Sequence, residues 1–248
     1  MTMRKLESKT AIVTGGSRGI GANLSTSLAV AGANVVVNYA NNESAAAEVV
    51  AQIVSSGGKA IAVQADVSQA ADVTRLFDVA EEAFGKVDIL VNNAGIVHYK
   101  TIEDTTDEQF ARLMQVNVNG VFYGMREASK RLADGGRVIS ISTSAALMFL
   151  PTYGPYCATK GAIEQLSRSL AKELGRRGIT SNIVSPGPTE TEMFLGNNEE
   201  EKIDRMRKLA ALGRLGKPED MGPVIVFLAS EDGGWITGQI IPVNGGTA

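Results

Sequence analysis

The 248-residue sequence contains one His, one Cys and one Trp, and aromatic residues make up only 5% of it. Cys157 has no internal disulfide partner, and with one His and no Cys/His cluster a zinc site or a His-based triad is nearly excluded. No run approaches the ~20 consecutive apolar residues of a membrane-spanning helix. Charge of either sign is not in excess: 24 Lys and Arg against 27 Asp and Glu leave a net charge of −3. That balance gives no general attraction to nucleic acid or to an anionic membrane. The opening segment, Met1 to Thr10, is charged and lacks the apolar stretch of a secretory signal, so a cytoplasmic protein is expected. No internal repeat, low-complexity tract or linker interrupts the chain.

Glycine is abundant: 27 residues, about 11% against a usual ~7%. Short apolar runs recur at Thr10–Val13, Asn34–Val37, Ala60–Val63, Val87–Val91, Arg137–Ile141, Thr180–Val184 and Ile240–Val243. They are continuous rather than alternating, as in strands buried on both faces. Helix-length segments fall between them, at roughly 19–32, 43–56, 69–84, 107–133, 155–177 and 218–230, and Gly32, Gly57–Gly58, Gly85, Gly135–Gly136 and Gly178 stand where those helices should stop. The pattern predicts an α/β fold. It is a single doubly wound Rossmann-type domain over 1–248, with a seven-stranded parallel sheet covered by helices on both faces. From 187 to 216 the strand rhythm lapses around a short helical stretch, Asn198 to Ala211, and a long excursion of this kind predicts a substrate-binding lid.

Thr14-Gly15-Gly16-Ser17-Arg18-Gly19-Ile20-Gly21 follows the first strand and opens the first helix. Its glycines allow a tight turn and a close backbone approach to a pyrophosphate, which the helix N-terminus then favours. The second strand runs out through Val37-Asn38-Tyr39-Ala40-Asn41-Asn42. Asn38 stands where an NAD site usually carries an acid bonded to the ribose hydroxyls. Without that acid a 2′-phosphate is not repelled, and Arg18, with Ser17, Asn41 and Asn42, is placed to bind it. The expected cofactor is therefore NADP(H). Asp66-Val67 ends the third strand beside the adenine, and Asn92-Asn93-Ala94-Gly95 ends the fourth, where small residues and amides admit a cofactor.

Tyr156 and Lys160 begin the helix at 155–177, and their i, i+4 spacing puts them on one face. A neighbouring ammonium favours phenolate, which makes Tyr156 a candidate general acid or base for a carbonyl/alcohol pair. Ser142-Thr143-Ser144 ends the fifth strand just upstream and offers a hydroxyl to orient a substrate oxygen. Asn117 sits inside a helical pattern, a poor place for Asn unless its side chain has another task.

Together these motifs resemble the short-chain dehydrogenase/reductase family, over essentially the whole chain. The family's glycine motif matches Thr14 to Gly21, its N-N-A-G motif Asn92 to Gly95, its catalytic Asn Asn117, and its Y-x-x-x-K Tyr156 and Lys160. Its P-G-x-x-x-T motif matches Pro186, Gly187 and Thr191, and its I-T-G-Q…V-x-G-G pattern matches Ile236 to Gln239 and Val243 to Gly246. The resemblance implies that Tyr156 delivers a proton to the carbonyl oxygen and that Lys160 lowers its pKa and bonds the nicotinamide ribose. It further implies that Asn117 holds a proton-relaying water, and that Pro186, Gly187, Thr189 and Thr191 seat the carboxamide. A homotetramer is implied as well, built through the helices at 107–133 and 155–177 and the C-terminal strand region. One departure stands out: the family's catalytic Ser is here Thr143. Alternation along the strand turns Ser142 and Ser144 away from it, so Thr143 is expected to act, with either serine as the alternative.

The expected substrate is a small ketone or aldehyde. Ala145, Leu147, Tyr153, Pro188, Met193 and Phe194 form the candidate pocket and suit a hydrophobic or aromatic ketone, with Leu150 as core and His98-Tyr99 at the rim. A 3-oxoacyl carrier-protein reductase is the rival within this chemistry. Arg177 fits an acidic carrier, but Asp134 beside Gly135 would repel one. A catalytically silent dinucleotide-sensing protein is the rival of another class. Cys157 is expected to pack within its helix rather than to react.

Overall fold

The computed structural model describes residues 5–248; residues 1–4 of the charged opening segment lie outside them. The sheet is built from β1 (Thr10–Val13), β2 (Asn34–Tyr39), β3 (Lys59–Gln64), β4 (Ile89–Asn92), β5 (Arg137–Ile141), β6 (Thr180–Pro186) and β7 (Ile240–Val243). All seven are parallel, in the order β3-β2-β1-β4-β5-β6-β7. The helices are α1 (Gly19–Val30), α2 (Glu43–Ser55), α3 (Ala70–Phe84), α4 (Asp107–Met114), α5 (Gly120–Arg131), α6 (Ala145–Met148), α7 (Gly154–Leu174), α8 (Glu192–Leu195), α9 (Glu200–Leu209) and α10 (Gly222–Ala229).

The continuous apolar runs follow from burial on two faces. Val35 and Val37 of β2 pack with Leu24 and Leu28 of α1, Ile53 of α2 and Ile225 of α10. Val36 between them packs on the opposite side, in the layer of Phe77 of α3, Met125 of α5 and Ile163 of α7. Period-two alternation thus serves two cores at once. The glycines at 32, 57, 85, 135 and 178 take positive φ, the backbone state that ends a helix most readily in glycine.

Two elements differ from the sequence expectation. The helix expected over 107–133 is broken between α4 and α5 by a π-helical turn, Gln115–Asn119. Such a turn adds a residue and re-aims side chains, and here it carries Asn117. The 187–216 segment holds two short helices, α8 and α9, and its ends meet in a parallel bridge between Thr189 and Gly216. Inside it Ile203, Met206 and Leu215 form a small core of their own, against Met148, Leu150 and Phe194.

Candidate active site

In a parallel sheet ligands bind beyond the carboxyl ends of the strands, where the winding reverses. Here that point lies between β1 and β4. A cavity of about 720 Å³ opens there. It runs from the glycine loop and the end of β2 to Tyr156, Lys160 and the 187–216 segment.

At one end the backbone is tightly laced. Gly15 has a φ of +60°, and a Cβ on Gly21 would collide with the Gly15 carbonyl oxygen and Asn93. Asn93 Nδ2 donates to the carbonyls of Thr14 and Gly15 at 2.9 and 3.0 Å. The Thr14 hydroxyl accepts from the N–H groups of Asn93 and Ala94. Only glycine fits this junction. Arg18 precedes α1 without a side-chain cap, and the first turn carries no acid. The helix therefore presents free N–H groups and its positive end to the cavity. Arg18 is exposed and makes no ion pair among the described residues. Ser17, Gly19, Ile20, Tyr39, Ala40, Asn41, Asp66 and Val67 line the same end.

Asn38 plays a different part from the one its position suggested. Its Oδ1 accepts from the Gly15 N–H at 3.1 Å, and its Nδ2 donates to the carbonyls of Tyr39, Val63 and Ala65. It is 1% exposed, so it braces the glycine loop against β3. The residues beyond it, Ala40 and Asn41, face the ribose end, and neither carries the acid. Asn42 is spent as well: its Oδ1 caps α2 by accepting from Ala45. Asp66 pairs with Arg112 at 3.8 Å. Burial opposes its ionisation, but hydrogen bonds from Ser68 and the Arg112 charge hold its carboxyl below the usual range.

At the other end α7 presents Tyr156 and Lys160 to the end of β5. The Thr143 hydroxyl stands beside the Tyr156 phenol and acts on it. Ser142 instead donates to Glu164 Oε1 at 2.5 Å, and Ser144 donates to the Ser185 carbonyl at 3.0 Å. Both serines are thus bonded away from the phenol, and Thr143 is the hydroxyl of the three that faces it. Lys160 Nζ donates to the Ile141 carbonyl at 2.8 Å and lies 5.7 Å from the Tyr156 ring centre. Burial brings the Lys160 ammonium down to about 8, against the opposing pull of Glu164.

The Tyr156 phenol departs from the sequence expectation. Desolvation raises its pKa, with smaller upward contributions from Tyr99 and Cys157, and only the Thr143 hydroxyl acts to lower it. The phenol is thereby held protonated, the form a proton donor needs. Cys157 behaves as expected of a packed thiol: burial pushes it up to about 11.

Asn117 is fully buried. Its Oδ1 accepts from the Ile96 N–H, and its Nδ2 donates to the Ile96 carbonyl and to Thr159 Oγ1, at 2.9, 2.9 and 3.1 Å. That is the task which justifies an Asn inside a helix. The side chain ties the segment after β4 to α7, one residue before Lys160. A Cβ on Gly95 would sit 3.3 Å from Asn117 Oδ1 and 3.7 Å from Lys160 Nζ.

The remaining walls are mostly apolar, with the polar Glu192 and Asn197 among them. Ala145, Tyr153, Pro188, Met193 and Phe194 line the cavity, as do Pro186, Gly187, Thr189 and Thr191. Leu147 does not. It is 55% exposed on the one-turn helix α6, and its neighbour Met148 faces the cavity instead. A one-residue error on so short a helix rotates the side chain by about 100°. Leu150, expected as plain core, both joins the small core of the 187–216 segment and lines the cavity. Of the pair after β4, Tyr99 lines the wall and His98 does not. Sequence reasoning placed Tyr99 only at the rim and missed Met148, Met206 and Arg112. No spacing signal marks any of these three. Tyr99 and Tyr153 pack with ring centres 4.7 Å apart and planes tilted by 45°, and Lys202 of α9 lies 4.6 and 4.8 Å over the two rings. The cation–π contacts fasten α9 to the cavity wall.

The donor set at the first end fits a dinucleotide that carries a ribose phosphate. The second end fits proton transfer to a carbonyl. Comparison with known proteins points the same way. Residues 15–248 match a family model described as enoyl-(acyl carrier protein) reductase. A short-chain type dehydrogenase/reductase from Picea abies is 44% identical over 97% of this chain and 93% of its own length. The versicolorin reductase of Emericella nidulans is 43% identical over 98% of this chain and 96% of its own. Among solved structures, the angucycline C-6 ketoreductase LanV with bound NADP superposes with a TM-score of 0.93. It is 39% identical, over 98% of this chain and 96% of that one. With a seven-stranded doubly wound sheet, the glycine loop, and Tyr156 and Lys160 in one cavity, this chain belongs to the short-chain dehydrogenase/reductase family of oxidoreductases.

Proposed function

We propose that the protein is an NADPH-dependent carbonyl reductase that converts a small, flat aromatic ketone to its alcohol and runs reversibly. One observation carries the reading. The Tyr156–Thr143 pair and the Arg18 glycine loop stand at opposite ends of a single cavity, as a hydride donor bound along it requires. When bound, the nicotinamide supplies the hydride. Arg18, Ser17 and Asn41 would hold the ribose phosphate, and the free N–H groups of α1 would hold the pyrophosphate. Pro186, Gly187, Thr189 and Thr191 would seat the carboxamide, and the Lys160 ammonium would bond the nicotinamide ribose. Thr143 holds the carbonyl oxygen against Tyr156, and Tyr156 donates its proton to that oxygen. Asn117 fixes Gly95 and Lys160 in place. Both of its side-chain donor hydrogens are spent on Ile96 and Thr159.

The tilted tyrosine pair, Met148, Met193 and Phe194 offer flat and polarisable surfaces that suit aromatic rings, and this supports the aromatic substrate class. Among the relatives, one is named as a versicolorin reductase and one as an angucycline C-6 ketoreductase, which supports a ketone substrate here. The 187–216 segment acts as the lid over this end, held by Lys202. An acyl-carrier substrate is disfavoured by Arg177. Its Nε donates to Asp134 at 2.8 Å, and its other nitrogens donate to the carbonyls of Ser129 and Leu132. Arg177 is thus consumed in bracing α5 and is not offered to an acidic partner. Trp235, 99% exposed close before the edge strand β7, supports the homotetramer as the assembled form.

The test is NADPH oxidation, followed by absorbance, on bicyclic aryl ketones, aliphatic ketones and a 3-oxoacyl carrier thioester. The expected order is aryl ketone first, with kcat/KM up to about tenfold above the aliphatic ketones, the worth of one good aromatic contact. Preference for the carrier thioester would overturn the substrate reading.

A further inference from the structure

Tyr156 and Lys160 are the first two rungs of a longer ladder. Glu164 continues it, one further turn along the same stripe of α7. Each rung meets one of three consecutive residues at the end of β5. Tyr156 meets the Thr143 side chain, Lys160 the Ile141 carbonyl, and Glu164 the Ser142 hydroxyl. Ser142 is 3% exposed. The Ser142 bond fixes the Glu164 carboxylate on this stripe, one turn from a positive charge of the same helix.

That charge is Lys160. Its ammonium is 5% exposed and its hydrogen-bond partner, the Ile141 carbonyl, is neutral. Buried ammonium groups tend to lose their proton unless a negative charge stands close. The titratable groups that reach Lys160 all lie on its own helix: Glu164, Cys157 and the Tyr156 ring. The other elements against it supply the Ile141 carbonyl, Asn117 and Gly95, none of which carries charge. Cys157 is a neutral thiol at ordinary pH, since burial raises its pKa to about 11. Glu164 is therefore the one carboxylate that acts on Lys160.

We infer that Glu164, anchored by Ser142, is a positioning residue that keeps Lys160 protonated in the working site. The inference rests on the reductase reading for its consequence in catalysis, but not for its physical content. It explains why Ser142, next to the Thr143 hydroxyl, takes no part at Tyr156: its hydroxyl is committed to holding the carboxylate. In the native enzyme reduction is expected to decline as pH rises through about 8, where the Lys160 ammonium is lost.

The decisive variant is Glu164→Gln, which keeps the shape and an acceptor for Ser142 while removing the charge. The readout is the titration of Lys160 by carbon–proton NMR in protein labelled at the lysine ε-carbon, with the resonance assigned by Lys160→Arg. The pH profile of kcat/KM for NADPH-dependent ketone reduction is measured beside it. In Glu164→Gln the Lys160 pKa should fall below its native value, because the negative charge on the next turn no longer favours the ammonium. The alkaline limb of the profile should move with it. Glu164→Asp restores a charge one methylene further back and should return both toward the native values. It also serves if the Gln variant does not fold, since it should then show a smaller fall in the same direction. A folded variant whose Lys160 titrates as in the native protein would overturn the inference, whatever its kcat. If the native protein reduces no ketone, the functional reading fails, and the NMR titration still decides the part played by Glu164.

Discussion

Replacing Tyr156 with Phe should lower kcat for ketone reduction by roughly 10²–10⁴-fold, the usual worth of a positioned proton donor, while NADPH binds as before. The substitution removes one oxygen and keeps the ring. The ring is what packs near Lys160, and the hydroxyl is what stands beside Thr143. Loss of the hydroxyl therefore leaves the cavity its shape and takes away only the proton. Burial keeps that proton on the phenol over the ordinary pH range, so the native enzyme enters reduction already in the donor form. Stopped turnover with unchanged NADPH affinity, read from cofactor fluorescence, is the expected pair of results. Retained turnover would place proton donation elsewhere. Tight NADPH binding by a native protein that turns over no carbonyl would favour the dinucleotide-sensing alternative.

The second large effect is expected at Arg18. Its guanidinium stands at the start of α1 with no ion pair among the described residues, and the end of β2 beside it, Tyr39 to Asn42, carries no carboxylate. A charge-assisted contact to a phosphate is worth about 1.5–3 kcal/mol. Arg18→Ala should thus weaken NADPH binding by roughly 10–150-fold. NADH lacks the phosphate and should bind almost as before. The difference between the two cofactors is the discriminating quantity, because damage to the glycine loop would weaken both alike. It should also shrink with added salt, since Arg18 is exposed and screened.

How far the sequence reached depended on whether one residue type answered one physical demand. The strands were legible because both faces of the sheet are covered, and their apolar runs have no other explanation. Gly15 and Gly21 were legible because no other residue fits against Asn93. Thr143 was set apart from Ser142 and Ser144 by the alternation expected of a strand. Asn38 was legible as the absence of a ribose-binding acid, while its amide has four backbone partners that only the folded sheet assembles. Asn117 was marked by its poor fit to a helix, but the π-helical turn that carries it has no signature in composition. Leu147 and Met148 are chemically alike, and a helix of four residues sets too little periodicity to choose between them. Glu164 was there to be read, four residues beyond Lys160. Its partner Ser142 was masked by the catalytic serine expected in that stretch.

The most direct test of the central claim is an isotope transfer. Native protein would be supplied with NADPH deuterated at the reactive face of C4 of the nicotinamide and with a bicyclic aryl ketone, and the product alcohol examined by mass spectrometry and NMR. Both faces would be tried in turn. The account predicts one deuterium at the former carbonyl carbon from one face only, and no product in Tyr156→Phe on the same timescale. Alcohol formed without deuterium from either face, or equally well by the Phe variant, would contradict it.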